Sequence, residues 1–494
     1  MITPDFETFA ELAADGALVP LAREFLFDRD TAVTAYHKLR EPPFGFILES
    51  LVGGEKWARY TFVGTRPRSA WRLEACGRVS TWTAADGWGA ARTVPDPLAE
   101  LDALLHSART VAAPGLPRFF GGAVGYLGYD TVRYIERLPD APGGALDVPE
   151  ALMVFTDTVL AIDNVFGRAQ ALTTVDVAGA ADSDELRRRY DDAVRRVDEV
   201  VAALADRPGP PPAELPRDAV DVEFDSSYSR AAYEADVERI REYIDAGDAF
   251  QVVLSRRLSV ALTRDPLELY RALRALNPSP YLFFLELDGV ALIGSSPEVL
   301  VRVEADVVTV RPIAGTRPRG ASDAEDERLT DELLADPKER AEHLMLVDLG
   351  RNDVGRVAKY GSVRVPSFMN VEKYSHVLHI VSQVEGDLRD GISAIDVFRA
   401  CFPAGTVSGA PKIRAMQIID ELEPVRRGIY AGAVGYFAYG GRSMDAAIAI
   451  RTIVAVNGRA YVQAGAGIVA DSVPAKEYEE TLAKARALLR VLAG

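Results

Sequence analysis

The sequence predicts a fold of mixed strands and helices, and three observations carry that reading. Short runs of alternating or continuous hydrophobic residues recur through roughly the first 200 residues and again after Phe250, as strands require. Between and after them lie amphipathic stretches with helix-start signals. The third observation is an internal echo. GGAVGYLGYD from Gly121 and AGAVGYFAYG from Ala431 share GAVGY at Gly122–Tyr126 and Gly432–Tyr436. A glycine-rich strand entry can recur by chance. The other reading is an old duplication that leaves two related sheets packed together.

Taken in order, Phe44 to Ser50 (FGFILES) is an apolar run, followed by a Gly53–Gly54 turn and a strand-like alternation through Tyr60, Phe62 and Gly64. RFFGGAVGYLGYD, Arg118 to Asp130, has glycines suited to tight turns and close strand packing, without the spacing of a dinucleotide fingerprint. A charged helical segment, Asp184 to Asp206, leads into RPGPPPAELP, Arg207 to Pro216. Its proline density marks a linker or an excursion between residues 1–206 and 217–494. A helix is expected from Ser229, with Tyr233, Val237, Ile240 and Ile244 on one face and Gly247 as a stop. FQVVLSRRLSV then reads as a strand, and strands and turns continue through YLFFLEL and ALIGSSPEVLVRV to VVTVRPIAGTRPRG.

At 494 residues, 48% hydrophobic and 26% charged, the chain can bury large cores. No membrane-spanning run is present, and the acidic N-terminus is unlike a signal peptide, so a cytoplasmic protein is expected. Cys76 and Cys401 are too few for a disulfide framework or a zinc site; each is expected as a free, buried thiol. A net charge of −17 disfavours nucleic acid while leaving room for a small anion in a locally positive cleft.

DPKERAEHLMLVDLGRND, from Asp336, opens as a helix: Asp336 caps, Pro337 takes the first position, and Glu339 sits where a capping-box carboxylate reaches back. Ala341, Leu344, Met345 and Leu349 mark its expected buried side, while Glu339 and Glu342 share another. PAKEYEETLAKARALL repeats the pattern with Glu477 and Glu480 three apart. Such pairs are ordinarily solvated helix faces, but two of them could converge on Mg²⁺, a cation that prefers oxygen ligands.

Five further signals follow the linker. GSSPE could position Glu298 as an acid, and RPIAGTRPRG offers N–H, hydroxyl and guanidinium groups to an anion. SHVLHIVS holds His376 and His379 in an apolar run. In CFPAGTVSGAPK, Gly405 to Pro411 is too small and glycine-rich for a helix, and so reads as a loop at a helix N-terminus. Arg451 sits in a strand-like run, and Gly465–Ala466–Gly467 permits close backbone approach. Together they describe a cleft for a small carboxylate-bearing molecule with a divalent metal.

RPIAGTRPRG, AEHLMLVDLGRNDVGRV, FPAGTVSGAPK and GAGIVADSVP with EYEET resemble the anthranilate synthase component I family over nearly the whole chain. The resemblance implies an α+β fold, two orthogonally packed antiparallel sheets flanked by helices. It implies a lyase that converts chorismate and ammonia to anthranilate and pyruvate, the first committed step of tryptophan biosynthesis. Glu342 and Glu480 would be the principal Mg²⁺ ligands, with Glu339 and Glu477 nearby. Arg451, Tyr430 and the 465–467 backbone would meet the enolpyruvyl carboxylate, Gly315 and Thr316 the ring, and Lys484 would lie by the metal. Glu298 would be the general acid, with His379 and Thr406 assisting.

Where isochorismate and salicylate synthases place a lysine base, this chain has Gln251, and where aminodeoxychorismate synthases carry a lysine it has Ala314. Both differences favour anthranilate synthase. The rivals are an aminodeoxychorismate synthase component and a non-catalytic tryptophan-binding regulator. No glutaminase constellation is visible, so the resemblance implies a separate glutamine amidotransferase subunit (component II), two large subunits assembling with two small ones. It also implies a tryptophan feedback site at Glu49, Ser50, Pro280, Tyr281, Leu282, Val434 and Tyr436, to which the N-terminal region contributes.

Overall fold

A computed structural model describes residues 2–493 apart from 16, 51–58, 108, 112–114, 139–140, 215–221 and 375–376. The Gly53–Gly54 turn, His376 and the last two residues of the proline-rich segment lie outside the described residues.

Two 13-stranded sheets form the centre, and all their strand pairs are antiparallel. Phe62, Phe283 and Leu285 of the first sheet meet Val124, Leu152 and Tyr436 of the second in a core between them. Outside the first sheet, Phe284 and Ile453 pack on Tyr36, Leu273 and Leu488 of helices. Outside the second, Trp71 and Val301 share a core with Leu101, Val347 and Phe398, also helical. This layering explains why YLFFLEL is continuously apolar: Phe283 faces the other sheet and Phe284 the helices. Both sheets take strands from before and after residues 207–214.

The echo pairs with itself. Strand Gly122–Leu127 lies beside Ala433–Ala438 in one sheet, with Gly125 opposite Gly435 and Val434 opposite Tyr126. The two copies are therefore not in separate related sheets: each half of the chain supplies strands to both. A Cβ on Gly125 would stand 2.0 Å from the Leu152 carbonyl oxygen, and one on Gly435 2.1 Å from that of Asp445. Only glycine fits that contact. Outward from this pair the strand order mirrors itself: Ala151–Thr156 then Ser69–Glu74 on one side, Met444–Ile448 then Val299–Glu304 on the other. The first sheet mirrors itself about the pair Phe44–Glu49 and Tyr281–Leu287.

Four connections pass directly from one sheet to the other: residues 66–68 and 157 in the N-terminal half, 297–298 and 449–451 in the C-terminal half. FVGTRPR (62–68) and LIGSSPE (292–298) match at these crossings, glycine for glycine and proline for proline.

The helix Ser183–Asp206 and the helix Arg230–Asp245, capped by Ser229 and burying Tyr233, Val237 and Ile240, lie where the periodicity places them. Helix Pro337–Gly355 is capped by Asp336, which accepts from the Lys338 and Glu339 N–H groups. Glu339 does not close a capping box; its carboxylate pairs with Arg317 at 2.9 Å. The buried side is also different from the expected one. His343, Val347, Gly350 and Val354 face inward, while Ala341 is exposed and Leu344 is 46% exposed. Apolar residues surround this helix, and on its inward side Gly350 packs so closely that a Cβ there would touch Val310 at 3.0 Å. Cys401 is buried, but Cys76, expected buried, is exposed in a turn between two strands, where its φ is +64°. Among the described residues no helix is long and apolar enough to cross a membrane.

Candidate active site

The two C-terminal crossings lie side by side. Glu298 follows strand Val290–Ser296 at one, and Arg451 precedes strand Thr452–Val456 at the other. The Ile448 N–H donates to the Glu298 carbonyl (3.0 Å) and the Ser295 N–H to that of Arg451 (3.1 Å). Arg451 is thus on a bend with φ +51°, not within a strand, because the chain must turn there to change sheets.

The Glu298 carboxyl is buried, and burial pushes its pKa up to about 8 against the pull of the Thr406 hydroxyl and the Lys484 charge. The Thr406 Oγ1 donates to Glu298 Oε1 at 2.9 Å. Thr406 belongs to a one-turn helix, Gly405–Ser408, so this segment is not an irregular loop throughout. Its Ser408 hydroxyl donates to the Ala404 carbonyl and closes the turn. Strand residues Gly409–Ala410 then pair with Gln251 and Val252, and Pro411 starts the helix Lys412–Leu422.

Arg451 NH1 donates to the Lys484 carbonyl (2.8 Å), and burial lowers the guanidinium's pKa. The Lys484 ammonium bonds the Gly465 carbonyl (2.9 Å) and pairs with Glu480 at 2.7 Å. Tyr430 stands against Gly465, where a Cβ would meet its hydroxyl at 2.8 Å; burial pushes that phenol up to about 12. Gln251 lies over Gly467, where a Cβ would meet its Nε2 at 2.6 Å. Its buried Oε1 has no hydrogen-bond partner among the described residues. Ala466 is buried on the same strand.

Opposite, Gly315 has φ +70°, and Glu339 Oε2 lies 3.2 Å from where its Cβ would stand. The His379 Nδ1–H donates to the Gly315 carbonyl at 2.9 Å, with Thr316 Oγ1 at 3.2 Å from the same nitrogen. That bond leaves Nε2 as the acceptor, and burial lowers the ring's pKa, so the imidazole is neutral near pH 7.

The two carboxylate helices face one another. Burial raises the Glu342 carboxyl, and Glu339, Asp471 and Glu480 add repulsion against the attraction of Lys338. Glu477 is raised by burial and by Glu480, with Lys338 and Lys484 opposing. Lys338 bridges to Asp471 at 2.9 Å. Among the described residues no three acid, histidine or cysteine side chains stand close enough to hold an ion by themselves.

A second cavity lies between the sheets. Glu49, Ser50, Pro280, Tyr281, Leu282, Val434 and Tyr436 all line it. Glu49 is held by Arg274 (2.6 and 2.8 Å) and by the Tyr270 hydroxyl (3.1 Å). The sequence reading missed three charged residues of its wall: Arg118, Arg302 and Asp445. Asp445 pairs with Arg302 at 2.7 Å and accepts from the Tyr281 hydroxyl at 2.9 Å. Also missed was a buried pair behind the first cleft, Glu423 and Arg427. The GTRPR–GSSPE match could have marked the crossings; nothing local marks Glu423 or Arg427.

The profile of the chorismate binding enzyme family matches residues 61–490. Anthranilate synthase component 1 of Pseudomonas putida is 51% identical over 493 residues, covering 99% of this chain and 98% of that one. The crystal structure of anthranilate synthase component I from Streptococcus pneumoniae matches with a TM-score of 0.77 at 35% identity, over 94% of this chain and 99% of that one. The menaquinone-specific isochorismate synthase of Escherichia coli shares the fold, with a TM-score of 0.66 at 19% identity over 99% of both chains.

Proposed function

The chain belongs to the chorismate-binding enzyme family, and from that premise we propose that it is the chorismate-converting subunit of an anthranilate synthase, inhibited by tryptophan. The observation that carries the chemistry is Glu298, a buried carboxyl bonded by Thr406 and facing Lys484, whose pKa burial pushes up to about 8. Addition of ammonia at ring C2 expels the C4 hydroxyl, and hydroxide leaves poorly unless protonated. A carboxylic acid with a pKa near 8 holds the proton at working pH and can still give it up. Thr406 stabilises the carboxylate that results. Arg451, Tyr430 and the backbone of Gly465, Ala466 and Gly467 receive the enolpyruvyl carboxylate, and Gly315 and Thr316 flank the ring. Neutral His379 presents Nε2 as an acceptor for the proton lost when pyruvate is eliminated and the ring becomes aromatic. Gln251 Oε1, buried without a partner, suits a nucleophile that carries N–H bonds.

Glu342 and Glu480, with Glu339 and Glu477 near them, would hold Mg²⁺. The fit rests on acids crowded enough to repel one another and neutralised only in part by Lys338 and Lys484. Mg²⁺ commonly binds through one or two carboxylates, with water and substrate completing its shell. Bound there, it would anchor the ring carboxylate and act as a Lewis acid. The chain's own residues supply no glutaminase chemistry, so ammonia comes from a glutamine amidotransferase partner (component II).

The test is a product assay on the purified chain with chorismate, Mg²⁺ and ammonium near pH 8, with and without tryptophan. Anthranilate fluorescence that falls on adding tryptophan is the expected result. Isochorismate or aminodeoxychorismate as product overturns the reading. Glu480→Gln should abolish turnover and weaken Mn²⁺ binding measured directly, while equilibrium tryptophan binding persists. A wild-type chain that binds tryptophan but forms no product would be a regulator instead.

A further inference from the structure

Arg427 and Glu423 are each 1% exposed and make contacts on three sides. The guanidinium gives Nε and NH2 to Glu423 at 3.0 and 2.6 Å. Its NH1 donates to the Val407 carbonyl at 2.6 Å and its NH2 to that of Val253 at 2.7 Å. Glu423 Oε1 in turn accepts from the Ser255 N–H (2.8 Å) and hydroxyl (2.7 Å). The guanidinium carbon lies over the rings of Tyr129 and Tyr430, 4.8 and 5.6 Å from their centres.

Each anchored point adjoins a group in the cleft. Val407 follows Thr406, the donor to Glu298. Val253 is two residues past Gln251 on the same strand, and Tyr430 stands against Gly465. A four-residue turn such as Gly405–Ser408 has too few internal bonds to hold its own place. The Val407 carbonyl, gripped by a buried planar donor with fixed geometry, supplies what the turn lacks.

We propose that the buried Glu423–Arg427 pair is a positioning device that holds Thr406 on Glu298 and so sets the acid strength of that carboxyl. The proposal rests on Glu298 being the general acid. Arg427 touches no substrate; it acts through the turn. Among the described residues three groups face Glu298: the Thr406 hydroxyl, the Lys484 ammonium and Tyr374, whose own ionisation Glu298 opposes. Of these, only Thr406 is tied to Arg427. Displacing the hydroxyl removes a donor that favours the carboxylate, so the carboxyl should hold its proton to higher pH.

The experiment records kcat against pH, with ammonia as nucleophile, for wild type, Thr406→Val, Arg427→Lys and the double variant. Thr406→Val should lower kcat at least tenfold and move the alkaline limb upward. Arg427→Lys, which keeps the charge but not the fork, should move the limb the same way and lower kcat at least fivefold. In the Thr406→Val background its further effect should be under twofold. An unmoved limb in Arg427→Lys beside a moved one in Thr406→Val, with equal losses in both backgrounds, overturns the positioning role. Glu423→Gln, which removes the charged partner that fixes the guanidinium against the Val407 carbonyl, replaces Arg427→Lys if that variant does not fold. It should shift the limb in the same direction by less, and an unmoved limb overturns the proposal equally. A Glu298→Gln variant with wild-type rate and limb would overturn the acid assignment instead, which separates the two failures.

Discussion

Glu298 keeps its proton at neutral pH because its carboxyl is buried at a sheet crossing with one hydroxyl donor. That chemistry has a stability cost whose sign follows from linkage. The unfolded carboxyl loses its proton near its ordinary value of 4.5, the folded one near 8. Between these values folding takes up a proton, so stability falls as pH rises, by about 1.4 kcal/mol per unit. Glu298→Gln removes the titration while keeping the shape. It should cost roughly 10²- to 10⁴-fold in kcat, the range for a general acid. It should also be more stable than wild type near pH 7 by up to about 3 kcal/mol. Urea unfolding of both proteins at pH 5 and pH 7.5 checks this: the gap between them should be small at the lower pH and wide at the higher. A gap that does not widen would mean the wild-type carboxyl is already ionised when folded.

Among the elements, helix Pro337–Gly355 shows what was legible in the sequence and what was not. Its start was legible, because Asp336 and Pro337 act within one turn. The facing of its glutamates toward those of Pro474–Ala493 was legible too, as two matching spacings. Its rotation was not. Apolar residues surround it, and the face that turned inward packs, at Gly350, against Val310, a contact distant in sequence that no local pattern signals. Arg451 was misread for a related reason: an unbroken apolar run, AIAIRTIVAV, conceals a change of sheet at its one charged residue. The corrected rotation makes a direct prediction. Val347→Ala, on the inward side, should destabilise by about 2 kcal/mol, whereas Leu344→Ser, on the outward side, should change stability by no more than about 0.5 kcal/mol. Chemical denaturation of both variants decides it, and the reverse order would restore the face suggested by Ala341, Leu344, Met345 and Leu349.

At the scale of the whole molecule the mirrored strand order gives each half a pair of crossings, and those of the C-terminal half line the proposed cleft. The crossing that ends in Glu298 has Arg68 at its N-terminal counterpart, and the crossing with Arg451 has Asp157. There the two charges lie 3.8 Å apart and compensate each other. In the C-terminal half the acid and the arginine stand in exchanged positions, and among the described residues they form no ion pair with each other: Glu298 is bonded by Thr406 and Arg451 by the Lys484 carbonyl. The same sheets join the two cavities. Tyr281 and Leu282 pair with Ser296 and Ser295, next to Pro297 and Glu298, while Val434 and Tyr436 pair with Ala447 and Asp445, on the strand that leads to Arg451. Tryptophan bound between these strands and chorismate bound at their ends, as proposed, would therefore act on the same two crossings. Coupling between sites is reciprocal: if tryptophan weakens chorismate binding by some factor, chorismate weakens tryptophan binding by that factor. Equilibrium tryptophan titrations of the Glu298→Gln protein with Mg²⁺, with and without saturating chorismate, measure it free of turnover. The expected result is a Kd for tryptophan raised about five- to 150-fold by chorismate, the span of ordinary coupling energies. Arg274→Gln releases the bidentate hold on Glu49 and should weaken tryptophan binding about tenfold, leaving ammonia-dependent turnover intact because Arg274 touches neither crossing. A tryptophan Kd indifferent to chorismate would mean that inhibition does not pass through these strands.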